Sequence, residues 1–398
     1  MKEFTYKHTI YACFIGYVVQ AIVNNFVPLL FLTFHSTYNI PLSQITFLVT
    51  FNFGLQLLID FLSAGFIDKI GYRAAAILAH ICSSLGLISL TILPDLLPSP
   101  FSGLLLSVMI YAVGGGLIEV LISPIVEACP TDNKEAAMSL LHSFYCWGHV
   151  GVVLISTVFF QVFGIENWKI LAFVWAFIPL LNAVFFRKVP IMSLLAPDEK
   201  GMTISELFRK KIFWILLLLM VCAGACEQSV SQWASTFAEQ ALGVGKTIGD
   251  LTGPMLFAVM MGIARVFYGK YGEKISLEKF MFCSGILCFA SYLMISLSTS
   301  PVPSLLGCGL CGLSVGILWP GAFSMSAARL RGGGTALFAL LALGGDVGCS
   351  LGPTTVGISS GLFQDNLRFG VLVAIIFPIL LLISLSPFLK GKKRSVIS

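Results

Sequence analysis

Twelve separate stretches of this chain are apolar for long enough to cross a lipid bilayer, and no other feature restricts its fold so tightly. A spanning helix needs about 20 mostly apolar residues to cover roughly 30 Å of hydrocarbon. Such runs lie near residues 9–32, 44–66, 73–93, 101–127, 136–163, 168–187, 211–236, 249–271, 276–298, 302–328, 333–360 and 367–389. They are continuously apolar instead of alternating, which excludes a β-barrel. Twelve helices in 398 residues leave about 33 for each helix and its connection, so no large soluble domain fits. The chain therefore reads as an all-α integral membrane protein.

Composition agrees. Hydrophobic residues make up 57% of the chain and charged residues 11%, against about a quarter charged in ordinary globular proteins. An apolar excess of this size has to face lipid, which removes disordered, nucleic-acid-binding and secreted disulfide-rich classes. The 11 cysteines are scattered through apolar runs without repeated spacing and read as small buried residues. The first run follows Lys2 and Lys7 but is too long for a signal-peptide core and has no small-residue cleavage site, so it counts as the first helix.

Orientation follows from Lys and Arg. With the N-terminus inside, outward connections hold only Lys169, Lys246 and Arg368 of the 24 basic residues. Both termini are expected to be cytoplasmic in a multi-pass protein of the cytoplasmic membrane. The longest connection, Arg187 to Lys211, lies midway between six runs and six runs. It divides the chain into a bundle over 1–190, a linker over 191–210 and a bundle over 211–398. Within it, Thr203-Ile-Ser-Glu206 has the form of a helix capping box ahead of Leu207, Phe208 and Arg209-Lys210-Lys211. That segment is either a helix lying at the headgroups or a solvated linker.

The halves repeat. A shift of about 200 residues aligns Gly116-Leu-Ile-Glu119 with Gly316-Ile-Leu-Trp319, and Gly148-His149-Val-Gly151 with Gly345-Asp346-Val-Gly348. Similar shifts pair Asp60, Asp68 and Lys69 with Arg265, Glu273 and Lys274, and Asn24-Asn25 with Glu227-Gln228. Matches in the same order favour two pseudo-symmetric six-helix bundles of like orientation, an architecture common in transporters with the site between the repeats.

On these features the chain resembles the major facilitator superfamily over nearly its whole length. The turn Gly65-Phe-Ile-Asp68-Lys69-Ile-Gly71-Tyr-Arg73 is similar to that superfamily's signature loop, with Ala64 where its leading glycine stands. In that loop Gly71 permits a tight turn, Asp68 can cap a helix N-terminus, and Lys69 and Arg73 would lock the cytoplasmic gate. Span four, with Gly114-Gly115-Gly116, Glu119, Ser123 and Pro124, and span seven, with Glu227 and Trp233, resemble the fucose:proton symporter branch. That resemblance implies a proton-coupling role for Glu119. It departs in span one, where the branch has an aspartate beside an asparagine and this chain has Asn24 and Asn25.

Ionisable residues in hydrocarbon cost about 2.5 to 3.5 kcal/mol each on insertion scales, so they persist where a cavity or partner compensates them. Asp60, Glu119, Glu227, Arg265 and Asp346 stand inside the runs. Glu119 shares a small polar helix face with Ser123 and is read as a proton carrier, the alternative being a protonated carboxyl bonded to a neighbouring helix. Glu227 and Asp346 are further proton-coupling candidates. Asp60 and Arg265 are read as gating residues at the boundary between the halves.

In span five, His142, Tyr145, Cys146 and His149 fall on one helical face, suited to a hydroxylated or carboxylated solute. The positions that match His142 and Tyr145 in the fucose branch are amides, so a different solute is implied. Asn24 and Asn25, together with Gln228, Gln232, Trp233 and Trp319, complete the substrate-binding set drawn from spans one, five, seven and ten. Cys308-Gly-Leu-Cys311 lacks a second ligand pair, so no metal is expected. No phosphate-binding loop occurs, no cofactor is implied, and no nucleophile and base stand at defined spacing.

The expected function is secondary active transport of a small polar solute, sugar-like or an organic acid, by alternating access and proton symport in a lipid-embedded monomer. Proton-antiport efflux of drugs or metabolites, and a non-transporting sensor or scaffold, are the alternatives.

Overall fold

The computed structural model describes residues 4–130, 134–192, 202–330 and 332–389. Among them are twelve spans: Tyr6–Tyr38, Ser43–Ser63, Tyr72–Leu96, Pro100–Ala128, Leu140–Phe163, Ile165–Lys188, Lys211–Ala241, Lys246–Tyr271, Leu277–Leu297, Pro301–Arg329, Ala336–Leu362 and Leu367–Leu389. They are numbered one to twelve below, with spans one to six forming the first half and seven to twelve the second. The twelve apolar runs and the twelve spans coincide. No strand occurs among the described residues.

Polar side chains lie within the molecule's interior alongside its apolar core, while large apolar side chains cover its periphery. Phe61, Leu181, Ile358 and Ile383 are 57–67% exposed on the periphery, whereas Gln20, Asn52, Gln56, Gln228 and Gln232 are at most 7% exposed. A water-soluble bundle would reverse this. A lipid-facing one needs it, because backbone and side-chain polar groups can only be satisfied within the protein.

Several spans are broken, which apolar patterning does not foresee. Span one runs as an α-helix over Tyr6–Asn25, then as a 3-10 turn over Val27–Leu30 with Pro28 inside it. Span seven is α-helical over Lys211–Ser231, interrupted at Gln232 and Trp233, and closes in a π turn over Phe237–Ala241. These breaks sit at corresponding places in the two halves, just beyond Asn24-Asn25 and Glu227-Gln228. Span ten is divided between Pro301–Val315 and Leu318–Arg329.

Glycines allow the closest crossings. A Cβ on Gly348 of span eleven would overlap the backbone carbonyl of Val221 in span seven, and one on Gly224 would overlap that of Gly345. The helix Ile204–Phe208 forms as the capping box indicates: the Thr203 hydroxyl accepts from Glu206 N, and the Glu206 carboxylate accepts from Thr203 N at 2.7 Å. Those contacts hold the Glu206 carboxyl below its usual range. Leu207 is fully buried and Met202 N donates to Gly332 O, so this helix rests on the protein, while Ile204 and Phe208 stay exposed.

Candidate functional site

Spans one, two and four build a continuous amide network in the first half. Along span two, Asn52 and Gln56 lie one turn apart, and Gln56 Nε2 donates to Asn52 Oδ1 at 3.1 Å and to Asn24 Oδ1 of span one at 3.0 Å. Gln20 Nε2, one turn before Asn24, donates to Glu119 Oε2 of span four at 2.9 Å and to Gln56 Oε1 at 3.4 Å. Glu119 is half-buried and lies within electrostatic reach of Asp346 and Glu227 in the second half. Its carboxyl thus faces the space between the halves and keeps part of its surface open. The glycines before it explain the position: a Cβ on Gly116 would touch Gln56 O and Ile59 at 3.0 Å, so span four approaches span two closely there.

The aromatic face of span five is partly assembled as expected. Tyr145 accepts from Asn25 Nδ2 at 3.3 Å, and the His142 ring stands 5.2 Å from that of Tyr17 in span one, whose hydroxyl bonds Ser123 at 2.9 Å. His149 is buried with Nδ1 lacking a partner and, among the described residues, bonds none of the other candidates.

In the second half, Gln232 Nε2 donates to Gln228 Oε1 at 2.9 Å and, across the boundary, to Asn24 O at 3.3 Å. Gln228 Nε2 donates to Glu227 Oε1 at 3.3 Å. Arg265 of span eight pairs with Glu227 at 3.4 Å. It also donates to His142 O across the boundary at 2.8 Å and to Gly316 O at 3.0 Å, a carbonyl beside the break in span ten. Arg265 is the one buried Lys or Arg among the described residues, and it neither snorkels nor meets Asp60. Glu227 is not a helix-end residue near water: the guanidinium holds it 7% exposed inside the bundle. Asp60 instead faces Asp346 of span eleven.

The two expected tryptophans serve packing. Trp233 Nε1 donates to Pro353 O at 3.0 Å with its ring 6.0 Å from Phe31, and Trp319 covers Gly345, where its ring fills the space a Cβ would need. The signature loop assigns Arg73 to a gate between halves, but Arg73 donates to Phe186 O and Arg187 O at 2.8 and 2.9 Å, tying span three to the end of span six in its own half. The side chains of Asp68 and Lys69 lie outside the described residues.

Gln20 was expected beside Asn24 on span one, one turn apart on a shared polar face, whereas Asn52, Gln56 and Tyr17 belong to this network and were absent from the expected binding set. A signal for them existed: Asn52, Gln56 and Asp60 repeat at i, i+4 and i+8, and Tyr17, Gln20 and Asn24 at i, i+3 and i+7, each a polar stripe on an apolar helix. Between Asn24, Asn52, Tyr111 and Gln232 remains a crevice of about 10 Å³, the space of roughly one water.

At the end of the bundle opposite the termini the halves are fastened together. Lys246 Nζ donates to Leu29 O at 2.9 Å, Thr247 Oγ1 to Gln161 Oε1 at 2.8 Å, and Thr50 and Thr354 share a hydrogen bond of 2.5 Å. What the arrangement can do follows: a polar interior, closed at the end opposite the termini, gathers amides and the half-buried Glu119 between the halves.

Residues 12–353 match the sequence model of the Major Facilitator Superfamily. No curated protein matches significantly. Among solved structures, the chain is similar to a variant form of the E. coli fucose:proton symporter FucP, with a TM-score of 0.70 at 15% identity over 96% of this chain and 98% of that one. It is also similar to the E. coli xylose transporter XylE in a partially occluded inward-open conformation, with a TM-score of 0.79 at 12% identity over 98% of this chain and 99% of that one. A proton:xylose symporter XylE structure bound to 6-bromo-6-deoxy-D-glucose gives 0.78 at 11% identity over 97% and 95%.

Proposed function

The chain belongs to the Major Facilitator Superfamily, and from that premise we propose that it moves a small polar solute, sugar-like or an organic acid, across the cytoplasmic membrane by proton symport. The symporters it resembles in fold, for fucose and for xylose, support this class of solute. The observation that carries the reading is Glu119: a half-buried carboxyl, bonded to Gln20 of span one and facing Asp346 and Glu227 across the boundary. A proton on Glu119 removes one negative charge from the interior and lets the halves close around the solute.

The lining supports a polar solute over a drug. Amides of Gln20, Asn24, Asn52, Gln56, Gln228 and Gln232 both donate and accept, which matches hydroxyls, whereas a wide apolar cavity would suit drug efflux. The solute approaches these groups from the end that carries the termini in the state described, and alternating access exposes them to the other side. The Lys and Arg distribution supports a cytoplasmic position for that terminal end, and in this reading the chain acts as a monomer of two units, 1–190 and 211–398, joined by 191–210.

Proteoliposome uptake tests the reading. Hexoses, pentoses and hydroxy acids that stabilise the purified protein against heat are offered under an inward proton gradient. Wild type accumulates one of them. Glu119→Gln loses gradient-driven accumulation yet keeps solute exchange at equal pH. Accumulation left untouched by Glu119→Gln would remove Glu119 as carrier, and accumulation of none of them would remove the solute class.

A further inference from the structure

Asp60 in span two and Asp346 in span eleven meet across the boundary between the halves, within interaction range of each other. They are 1% and 2% exposed. Both oxygens of Asp60 and Oδ2 of Asp346 have no hydrogen-bond partner, nor has the hydroxyl of Ser63, a turn further along span two. The charged and titratable groups around them offer no cation. Glu119 faces both from span four, Cys349 lies beside Asp346 on span eleven, and Glu227 of span seven reaches the same space. Span ten contributes the uncharged ring of Trp319 over Gly345. Arg265 is occupied by Glu227, His142 O and Gly316 O.

Two ionised carboxylates in contact repel, whereas one proton held between them makes a charge-assisted hydrogen bond. A metal ion is a poorer occupant, since hard cations take six or more oxygens and no cluster of three or more ligating side chains occurs among the described residues. The position in the fold gives the pair a purpose. Spans two and eleven run past each other in one antiparallel seam. A Cβ on Gly357 would lie 2.5 Å from Thr46, Thr50 bonds Thr354, and Asp60 with Asp346 continues the seam toward the terminal end.

We infer that Asp60 and Asp346 hold a single shared proton, an ion site apart from Glu119, which fastens span two to span eleven while the end opposite the termini is closed. The purpose of this site rests on the proton-symport reading, but its test does not use transport.

The full chain in lipid nanodiscs is studied by pH-difference infrared spectroscopy and by hydrogen exchange of residues 44–50 and 350–357. Wild type should show a protonated-carboxyl band that disappears entirely in Asp60→Asn and equally in Asp346→Asn, and persists in Glu119→Gln. Exchange in the two segments, corrected for its intrinsic pH dependence, should rise several-fold as the band is lost in wild type. It should stay pH-independent in both Asn variants, because Asn can donate to the remaining carboxylate. Asp346→Glu should restore the band, separating loss of the site from misfolding. A band that survives either Asn substitution, or that responds to sodium at fixed pH, overturns the inference. If uptake proves independent of protons while the band behaves as stated, the symport reading falls and the shared proton stands. If uptake is proton-driven and the band ignores both aspartates, the shared proton falls.

Discussion

Arg265 makes three bonds to three spans, and among the described residues no other buried Lys or Arg offers a positive charge to the interior. Removing one member of a buried pair leaves the other uncompensated and typically costs about 3–5 kcal/mol, whereas removing both can be nearly neutral. Arg265→Met should therefore lower the unfolding midpoint in detergent sharply, and Arg265→Met with Glu227→Gln should recover most of that loss. Arg265→Lys should rescue little, because a lysine ammonium cannot present the planar fork that reaches Glu227, His142 O and Gly316 O together. A double variant as unstable as the single one would show that Arg265 acts through the two carbonyls alone. The individual charges were legible in the sequence, since an ionisable residue inside an apolar run stands out at once. Their partners were not. Internal symmetry matches Asp60 with Arg265 by position, yet repeats place corresponding residues in corresponding sites, not in contact, and each one instead meets a carboxyl from a different span.

At the level of elements, the number and order of spans could be read from apolar runs because lipid imposes a fixed length on each helix. Breaks in spans one and seven could not, since a helix interrupted at Gln232 is as apolar on average as an intact one, whereas in span ten Pro320 beside Trp319 signals a local break, and the helix is interrupted just ahead of it, between Val315 and Leu318. Pro28 was the local hint in span one. Packing was likewise half visible. Gly348 and Gly352 are four residues apart, a spacing that lets helix backbones approach, and a Cβ at Gly348 would overlap Val221 O and sit 2.8 Å from Ala225 N of span seven. These are backbone atoms of a packed helix and cannot move aside. Gly348→Ala should force spans seven and eleven apart, with a loss of folded yield or a drop in unfolding midpoint of the order of the 1–3 kcal/mol that overpacking costs. Gly151→Ala is the control, since nothing lies within 4 Å of a Cβ there. Equal behaviour of the two would mean that the close crossing contributes nothing specific.

For the whole molecule, alternating access requires that the contacts closing one end be breakable at a cost small enough for a solute or proton to tip. Lys246 is placed for this. Its ammonium donates to Leu29 O in the first half while Glu239 and Asp250 hold it from the second, at 3.3 and 3.1 Å. Asp250 also accepts from Ser235 at 2.5 Å, so it keeps a donor when the lysine is gone. Lys246 is 26% exposed, which puts its bond to Leu29 O near the lower end of the range for charged donors, about 1.5 kcal/mol, or roughly tenfold in a two-state population. Lys246→Met should therefore raise hydrogen exchange about tenfold in residues 26–31 and 246–250, where the halves separate when that end opens. Residues 140–146, toward the terminal end, should exchange no faster, because the closing of that end accompanies the opening of the other. A uniform rise across all three segments would mean a general loss of stability instead of a shift between two states, and no change at all would leave Thr50, Thr354 and the Asp60–Asp346 pair as the contacts that set the balance.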